Sequence, residues 1–478
     1  MASALIAGTT LTGCPDRTIS KVDPQQQGAV VKKIPVSADI DILFVIDNSA
    51  STLDKQTIFE QNFPKFVAAL DAFPTGRPNL HIGVVDSTVD IGVSKYTGCP
   101  SPDPGDNGLL QNTAHIPGCT APTGRYLSDI KGSSGARVTN YAGTLDQALS
   151  CIALVGASGC GFEAQLEAMK RALDGTRPEN TGFLRQGAFL AVIFLTDEDD
   201  ASVKDNSVFS LPDAQVGGAN DYRVQPLFAY KCDTPLSSTM GGTYTNCVPR
   251  LDSYLQDPGY YARALTAVKD PSQLVVAVIA APPPGLMTND SPPQTASSPN
   301  ITIGPLMLNG NTQALALQPS CSATINGNPA IGRPAVRLAN FLSNFGDRGR
   351  FYSVCQADYS PALADIGKTL FNAISPCLEG PIDPADADPN NPGTQLQCTV
   401  TDALESGTPT EMDIPMPACQ MQDATTPAPN GARPCYWIDK NTTSCPAPDT
   451  GYELNIVRTD PPALGTTVNV ECAVTTGP

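Results

Sequence analysis

Two apolar runs dominate the hydrophobic pattern of the chain, Ile42-Leu43-Phe44-Val45-Ile46 and Ala188 to Leu195. Each is short, rich in β-branched residues and bounded by polar ones, the pattern of a central parallel strand covered on both faces. Leu80 to Val85 and Leu274 to Ala280 read the same way, and Arg350 to Cys355 reads as a last strand. Between them apolar residues recur at helical spacing. Phe59, Phe63, Phe66 and Leu70 predict one helical face, which Pro64 should kink or divide. Leu338, Phe341, Leu342 and Phe345 predict another, closed by Gly346. A final helix carries Leu363, Ile366, Leu370 and Ile374, with Ser360 as N-cap, Pro361 at its first position and Ser375-Pro376 at its end. Strands alternating with helices predict an α/β fold with a doubly wound, mostly parallel sheet. The apolar faces read as core and carry no function.

Long Pro-, Gly- and Asn-rich insertions interrupt these elements at roughly 89–140, 200–256 and 283–334. Loops of that length in a compact domain need something to hold them. The 15 cysteines supply it. Setting Cys14 aside leaves Cys99, Cys119, Cys151, Cys160, Cys232, Cys247, Cys321 and Cys355 before residue 377, and six more from Cys377 onward. No Cys-x-x-Cys occurs and the only histidines are His81 and His115, so disulfides are favoured over structural zinc. Connectivity stays open; the neighbours Cys99 with Cys119, Cys151 with Cys160 and Cys232 with Cys247 would each staple an insertion.

Composition changes after Cys377. Residues 379–395 read as an acidic, Pro-rich linker, in which Asp383, Asp386 and Asp388 are solvated rather than Ca²⁺ ligands. Within 396–478, Leu454/Ile456 and Val468/Val470/Cys472 alternate at period two around Pro461 to Gly465, a hairpin-like signal of a small, disulfide-rich β module.

The candidate chemistry lies where the first apolar run ends, in Asp47-Asn48-Ser49-Ala50-Ser51. Ligands of open α/β sheets bind outside the carboxyl ends of the strands, and alternate spacing lets one turn aim Asp47, Ser49 and Ser51 at a common point. Hydroxyls with few carboxylates suit a hard cation such as Mg²⁺. Read blandly, the same residues cap the following helix. The second run ends in Thr196-Asp197-Glu198-Asp199-Asp200. Glu198, Asp199, Asp200 and Asp205 read as a solvated loop, a second Ca²⁺ site or an aid to metal-dependent hydrolysis.

This pattern resembles the metal-ion-dependent adhesion site of von Willebrand factor A domains, whose motif is Asp-x-Ser-x-Ser after the first strand, a Thr in a later loop and an Asp after the fourth strand. The resemblance covers 38–378. It implies a divalent cation, Mg²⁺ foremost with Ca²⁺ or Mn²⁺ as alternatives, held by Asp47, Ser49, Ser51 and Asp197. Where the family has Thr this chain has Glu163, which would add negative charge and weaken the metal's pull on a ligand's acid; Thr144 is the alternative third element. The resemblance further implies a partner, protein or extracellular surface, offering an Asp or Glu to the metal.

Residues 1–14 end in Leu11-Thr12-Gly13-Cys14, which resembles a bacterial lipobox, so Cys14 is expected to carry the lipid and 15–37 to form a flexible tether. No later segment approaches the roughly 20 apolar residues that span a bilayer, so the expected membrane link is the lipid alone. Pro15 lacks the Asp-type inner-membrane retention signal, which points to an outer-membrane lipoprotein on the cell surface or periplasmic face. The net charge of −18 argues against nucleic acid. No Gly-x-Ser-x-Gly elbow or phosphate-cradling loop is evident, so no enzyme is expected. The whole resembles disulfide-rich von Willebrand A lipoproteins of gliding Gram-negative bacteria, among which a surface adhesin is known; a metal-free structural scaffold of the envelope is the rival expectation.

Overall fold

The computed structural model describes residues 29–35, 39–73, 76–90, 105–210, 229–237, 240–286, 288–289, 299–308, 311–325, 328–406, 410–442, 445, 450–460, 462–463 and 466–475. The lipobox with Cys14, the first part of the expected tether and Cys99 lie outside them.

Seven strands form the central sheet: β1 (Asp39–Ile46), β2 (Asn79–Asp86), β3 (Leu127–Lys131), β4 (Arg137–Thr139), β5 (Phe189–Leu195), β6 (Leu274–Ala280) and β7 (Gly349–Ser353). Their order is β7-β6-β5-β1-β2-β3-β4. The five from β7 to β2 are parallel, as the unbroken apolar runs predict; β3 and β4 add an antiparallel edge. All seven residues from Ile40 to Ile46 are buried, so both faces of β1 are covered.

One face packs α1 (Leu53–Gln61), α2 (Phe63–Asp71), α3 (Leu145–Ala153) and α7 (Ser360–Ile374); the other packs α4 (Gln165–Leu173), α5 (Pro258–Val268) and α6 (Val336–Leu342). The sheet is therefore doubly wound. Pro64 divides the predicted helix into α1 and α2 and sits in the first turn of the second, where its missing N–H costs nothing. Phe44 of β1 meets Phe59, Phe63 and Phe66 with ring centroids 5.6, 6.0 and 5.8 Å apart. Two helix ends differ from expectation. α6 stops at Leu342 and a 3-10 turn carries Phe345, with Gly346 at φ 51°. Ser360 does not cap α7 because its hydroxyl donates to Asp358 (2.8 Å), and Tyr359 takes the cap position.

The insertions are built into structure. Residues 105–140 supply the antiparallel edge, and the last insertion folds as Ile301–Leu308 paired with Asn311–Leu317 and Cys321–Ile325 paired with Asn328–Gly332. Disulfides join Cys119 to Cys151, Cys232 to Cys247 and Cys321 to Cys355. The neighbour pairs Cys99–Cys119 and Cys151–Cys160 are thus not formed. The insertion folds back over α3, where the His115 amide donates to the Cys151 carbonyl (2.8 Å), and this brings Cys119 rather than Cys160 to Cys151. Cys160 is itself disulfide-bonded.

The C-terminal module corrects three expectations. Its four-stranded sheet runs Ala29–Pro35, Thr467–Ala473, Cys398–Leu404, Met412–Met416 in space, so residues 29–35 are an edge strand of the module and not tether. Tyr452–Val457 pairs instead with Cys435–Lys440, so the two alternating runs do not form a hairpin with each other. The 379–395 linker is anchored: Ile382 lies in the module's core, and the Asn391 side chain donates to the Cys419 carbonyl (2.9 Å) and accepts from the Met421 amide (2.9 Å). The Asp383, Asp386 and Asp388 carboxylates close local turns. Disulfides Cys377–Cys445, Cys398–Cys472 and Cys419–Cys435 hold the module. It meets the amino ends of the parallel strands, where Asp270, four residues before β6, pairs with Lys33 (3.7 Å) and accepts from Ser406 (3.1 Å). The carboxyl ends lie a strand length away, roughly 25 Å for eight residues. No helix among the described residues is long and apolar enough to cross a membrane.

Candidate metal centre

Parallel pairing of β1 with β5 sets the residues that leave the two strands side by side. The Asp47 amide donates to the Leu195 carbonyl (2.9 Å), so Asp47 stands beside Thr196 and Asp197 at the carboxyl edge. Asp47 is fully buried. Its Oδ1 accepts from the Ser49 amide (2.8 Å) and its Oδ2 from the Thr196 hydroxyl (2.7 Å). Ser51 Oγ donates to Asp197 Oδ1 (3.0 Å) and lies 3.3 Å from Ser49 Oγ. Thr52 and Gln56 fix the turn, each donating to the Asp47 carbonyl at 2.8 Å. Ala50 and Ser51 are exposed, so the cluster opens to solvent on that side.

Asn48, the variable position of the motif, ties three loops together. Its side-chain amide donates to Asp86 (2.7 Å) and its Oδ1 accepts from Thr88 (2.8 Å), while its carbonyl accepts from the Gly159 amide (2.7 Å). Gly159 passes so close that an added Cβ would lie 2.0 Å from Asn48 Oδ1. That loop delivers Glu163, which is 2% exposed and whose Oε2 has no hydrogen-bond partner. Burial, and then the charges of Glu198, Asp47 and Asp197, push its carboxyl well above the usual range. Burial and Asp197 raise Asp47 to about 6. Burial raises Glu198 to about 7 against the opposing Arg333, which bonds it.

The structure therefore brings together Asp47, Ser49, Ser51, Glu163 and Asp197. Thr144 does not join them: it is the exposed N-cap of α3, in a capping box with Gln147, because α3 precedes the loop that carries Glu163. The acidic run after Asp197 is not a solvated loop. Asp199 accepts from the Arg337 and Leu338 amides (2.8 and 3.1 Å), capping α6, and from Tyr230 (2.8 Å). Asp200 pairs with the fully buried Arg337 (3.0 Å) and accepts from the Leu166 amide (3.0 Å). Only Asp205 is exposed.

Sequence reasoning missed two participants. Thr196 locks Asp47, and its position directly after the second run is the signal. Lys55 places its ammonium 2.9 Å from Asp197 Oδ2, donates to the Ser51 carbonyl (2.7 Å), and has a side chain only 3% exposed. Its spacing of four from Ser51 puts it over the motif turn.

Four carboxyls, Asp47, Glu163, Asp197 and Glu198, are thus gathered against the two cations Lys55 and Arg333; burial and mutual repulsion favour the neutral form of Glu163, and a bound cation would favour its ionised form. All donors are oxygen, as a hard cation requires. Among the described residues no group of three or more His, Cys, Asp or Glu side chains is arranged to hold a metal by itself, so any metal here depends on the serine hydroxyls.

No family model and no curated protein matches the sequence. Among solved structures the chain is similar to a von Willebrand factor type A protein from Catenulispora acidiphila, at 10% identity and a TM-score of 0.26, over 94% of this chain and 62% of that one. It is also similar to the pilus adhesin RrgA from Streptococcus pneumoniae, at 9% identity and a TM-score of 0.23, over 93% and 57% of the two chains. The chain spans less than two thirds of either protein, and overlaps this loose carry no weight for the site.

Proposed function

We propose that this chain is an adhesin-like lipoprotein of the cell envelope that binds a protein or surface ligand through a divalent cation. The observation that carries the reading is the buried Glu163 Oε2, which has no hydrogen-bond partner and feels the charges of Asp47 and Asp197. Asp47, Ser49, Ser51 and Asp197 would hold the ion, with Glu163 beside them. A bound Mg²⁺, or Ca²⁺ or Mn²⁺ in its place, supplies an open position for an Asp or Glu of the partner. The chain's own residues do the rest: Thr196 and the Ser49 amide orient Asp47, Thr52 and Gln56 stiffen the turn, and the exposed edge at Ala50 and Ser51 admits the partner.

The reading takes Cys14 as the lipidated residue of an outer-membrane protein. An anchor there leads into the strand Ala29–Pro35 at the amino ends of the sheet, which supports a binding edge held away from the membrane. Binding is favoured over catalysis, because Asp199 and Asp200 are spent on α6 and Arg337. Nucleic acid is disfavoured by the charge of −18.

One observation favours a second reading, a metal-free scaffold: the ammonium of Lys55 already sits on Asp197. Calorimetric titration of the oxidised chain with Mg²⁺, Mn²⁺ and Ca²⁺, beside Asp47→Ala, separates the two. Saturable binding lost in the variant supports the adhesin; no heat of binding in folded wild type supports the scaffold.

A further inference from the structure

We infer that Lys55 is a tethered internal cation of this site, holding Asp197 until a divalent ion displaces it and so setting how much metal is needed to load the site. The inference rests on the reading that the site takes a divalent cation.

Lys55 is the third residue of α1, a position where a positive charge opposes the helix dipole. Its side chain is also almost wholly removed from water, which costs further unless the charge is paired. Neither cost is explained by the helix itself. Both are offset by the carboxylates, since Nζ lies 2.9 Å from Asp197 Oδ2 and 3.1 Å from Asp54 Oδ1 while donating to the Ser51 carbonyl.

The contact with Asp197 falls on one of the metal's proposed ligands, while that with Ser51 is made to its backbone carbonyl and not to its hydroxyl. Ser51 and Asp197 are two of the four side chains proposed to hold the ion, and Ser51 Oγ occupies the other oxygen of Asp197. A divalent ion bound to Asp197 within reach of this ammonium meets strong like-charge repulsion. Loading the site therefore requires Nζ to leave. The flexible four-carbon stem lets it do so without moving α1. Asp54 provides a station: its carboxylate is already in contact and its side chain is 32% exposed, so the ammonium can pivot outward toward solvent while keeping one anionic partner. Asp47 on the far side bonds neutral donors, the Ser49 amide and the Ser87 and Thr196 hydroxyls, so Lys55 compensates only part of the cluster's charge and leaves a reason for the metal to enter.

The test titrates Mn²⁺ into the full oxidised chain as wild type, Lys55→Met, Lys55→Arg and Asp47→Ala, reading affinity by calorimetry and melting temperature with and without the metal. Lys55→Met is expected to bind Mn²⁺ at least ~10-fold more tightly than wild type, the worth of one lost charge-assisted hydrogen bond. It should melt lower than wild type without metal and gain more from saturating Mn²⁺, whereas Lys55→Arg should bind no more tightly than wild type. Binding by Lys55→Met alone, with none in wild type, also supports the inference. Equal or weaker binding by Lys55→Met, with wild type binding, overturns it and leaves the cation site standing. Binding by neither, both folded by circular dichroism, removes the cation reading and this inference together. Lys55→Gln serves in the same comparison if the methionine variant does not fold.

Discussion

The hydroxyl of Thr196 donates to Asp47 Oδ2 over 2.7 Å, joining residues 149 apart in sequence across the ends of the two central strands. The same hydroxyl oxygen accepts from the Gln165 side chain (2.9 Å) and the Glu198 amide (3.2 Å). Thr196→Val keeps the shape and removes the donor. The metal-free protein should lose about 1–3 kcal/mol in denaturant titration, the cost of leaving a buried partner unsatisfied. A loss under about 0.5 kcal/mol, the range of ordinary surface changes, would show that Asp47 is held by its other contacts alone.

The carboxylates predict an unusual pH dependence of the metal-free protein. Asp41, Asp47 and Asp199 are raised to about 6 and Glu198 to about 7, chiefly by burial. From about pH 4 to 7 these four groups therefore bind more protons in the folded chain than in the unfolded one, and the stability they contribute is lost as pH rises through their folded values; His81 and His115, lowered chiefly by burial, act in the opposite sense below about 6.5 but are outnumbered. Lys269 has the opposite sign: burial lowers it to about 8, so between about 8 and 10.5 the unfolded chain binds the extra proton and stability rises with pH. Melting in chelator should be higher at pH 5 than at pH 7.5. A flat or inverted profile over that interval would contradict the burial of these groups.

Much of this was legible in the sequence, for definable reasons. The runs through Ile42–Ile46 and Ala188–Leu195 are short, β-branched and apolar on both faces, the pattern of a covered parallel strand, and each ends in its candidate site residues. Pairing in register then brings Asp47 and Asp197 together. Lys55 was hidden because a lysine in a first helical turn looks like a solvated residue, and its burial depends on where Asp197 arrives. The strand Ala29–Pro35 was hidden because its partner Thr467–Ala473 lies at the other end of the chain. The Cys119–Cys151 bridge escaped the spacing argument for a similar reason, since the fold-back over α3 is a tertiary event.

Arg337 and Asp200 form a fully buried ion pair at 3.0 Å, and Arg337 also donates to the Asp200 and Gln256 carbonyls (2.8 and 2.6 Å). Removing one buried partner strands the other, at about 3–5 kcal/mol. Arg337→Met should therefore cost that much, and adding Asp200→Asn should recover part of it. If the double variant falls below the single one, the arginine's carbonyl contacts, not its charge pairing, hold α6 in place.

The edge strand Ala29–Pro35 makes the C-terminal module depend on the start of the described chain. It pairs along its whole length with Thr467–Ala473, Ile34 is buried in the module's core, and Lys32 donates to the Cys377 carbonyl (2.5 Å). Deleting residues 1–35 strips one side of Thr467–Ala473 of its ladder, whereas β1 keeps both its neighbours, β2 and β5. The truncated protein should be cut by protease first within residues 396–478, while residues 39–375 stay resistant, and calorimetry should show the module melting ahead of the α/β domain. The disulfides Cys377–Cys445 and Cys398–Cys472 limit how far the module opens, so the same deletion under reducing conditions should widen the gap between the two transitions. Cleavage patterns identical to those of the intact chain would mean that the strand merely lies against the module.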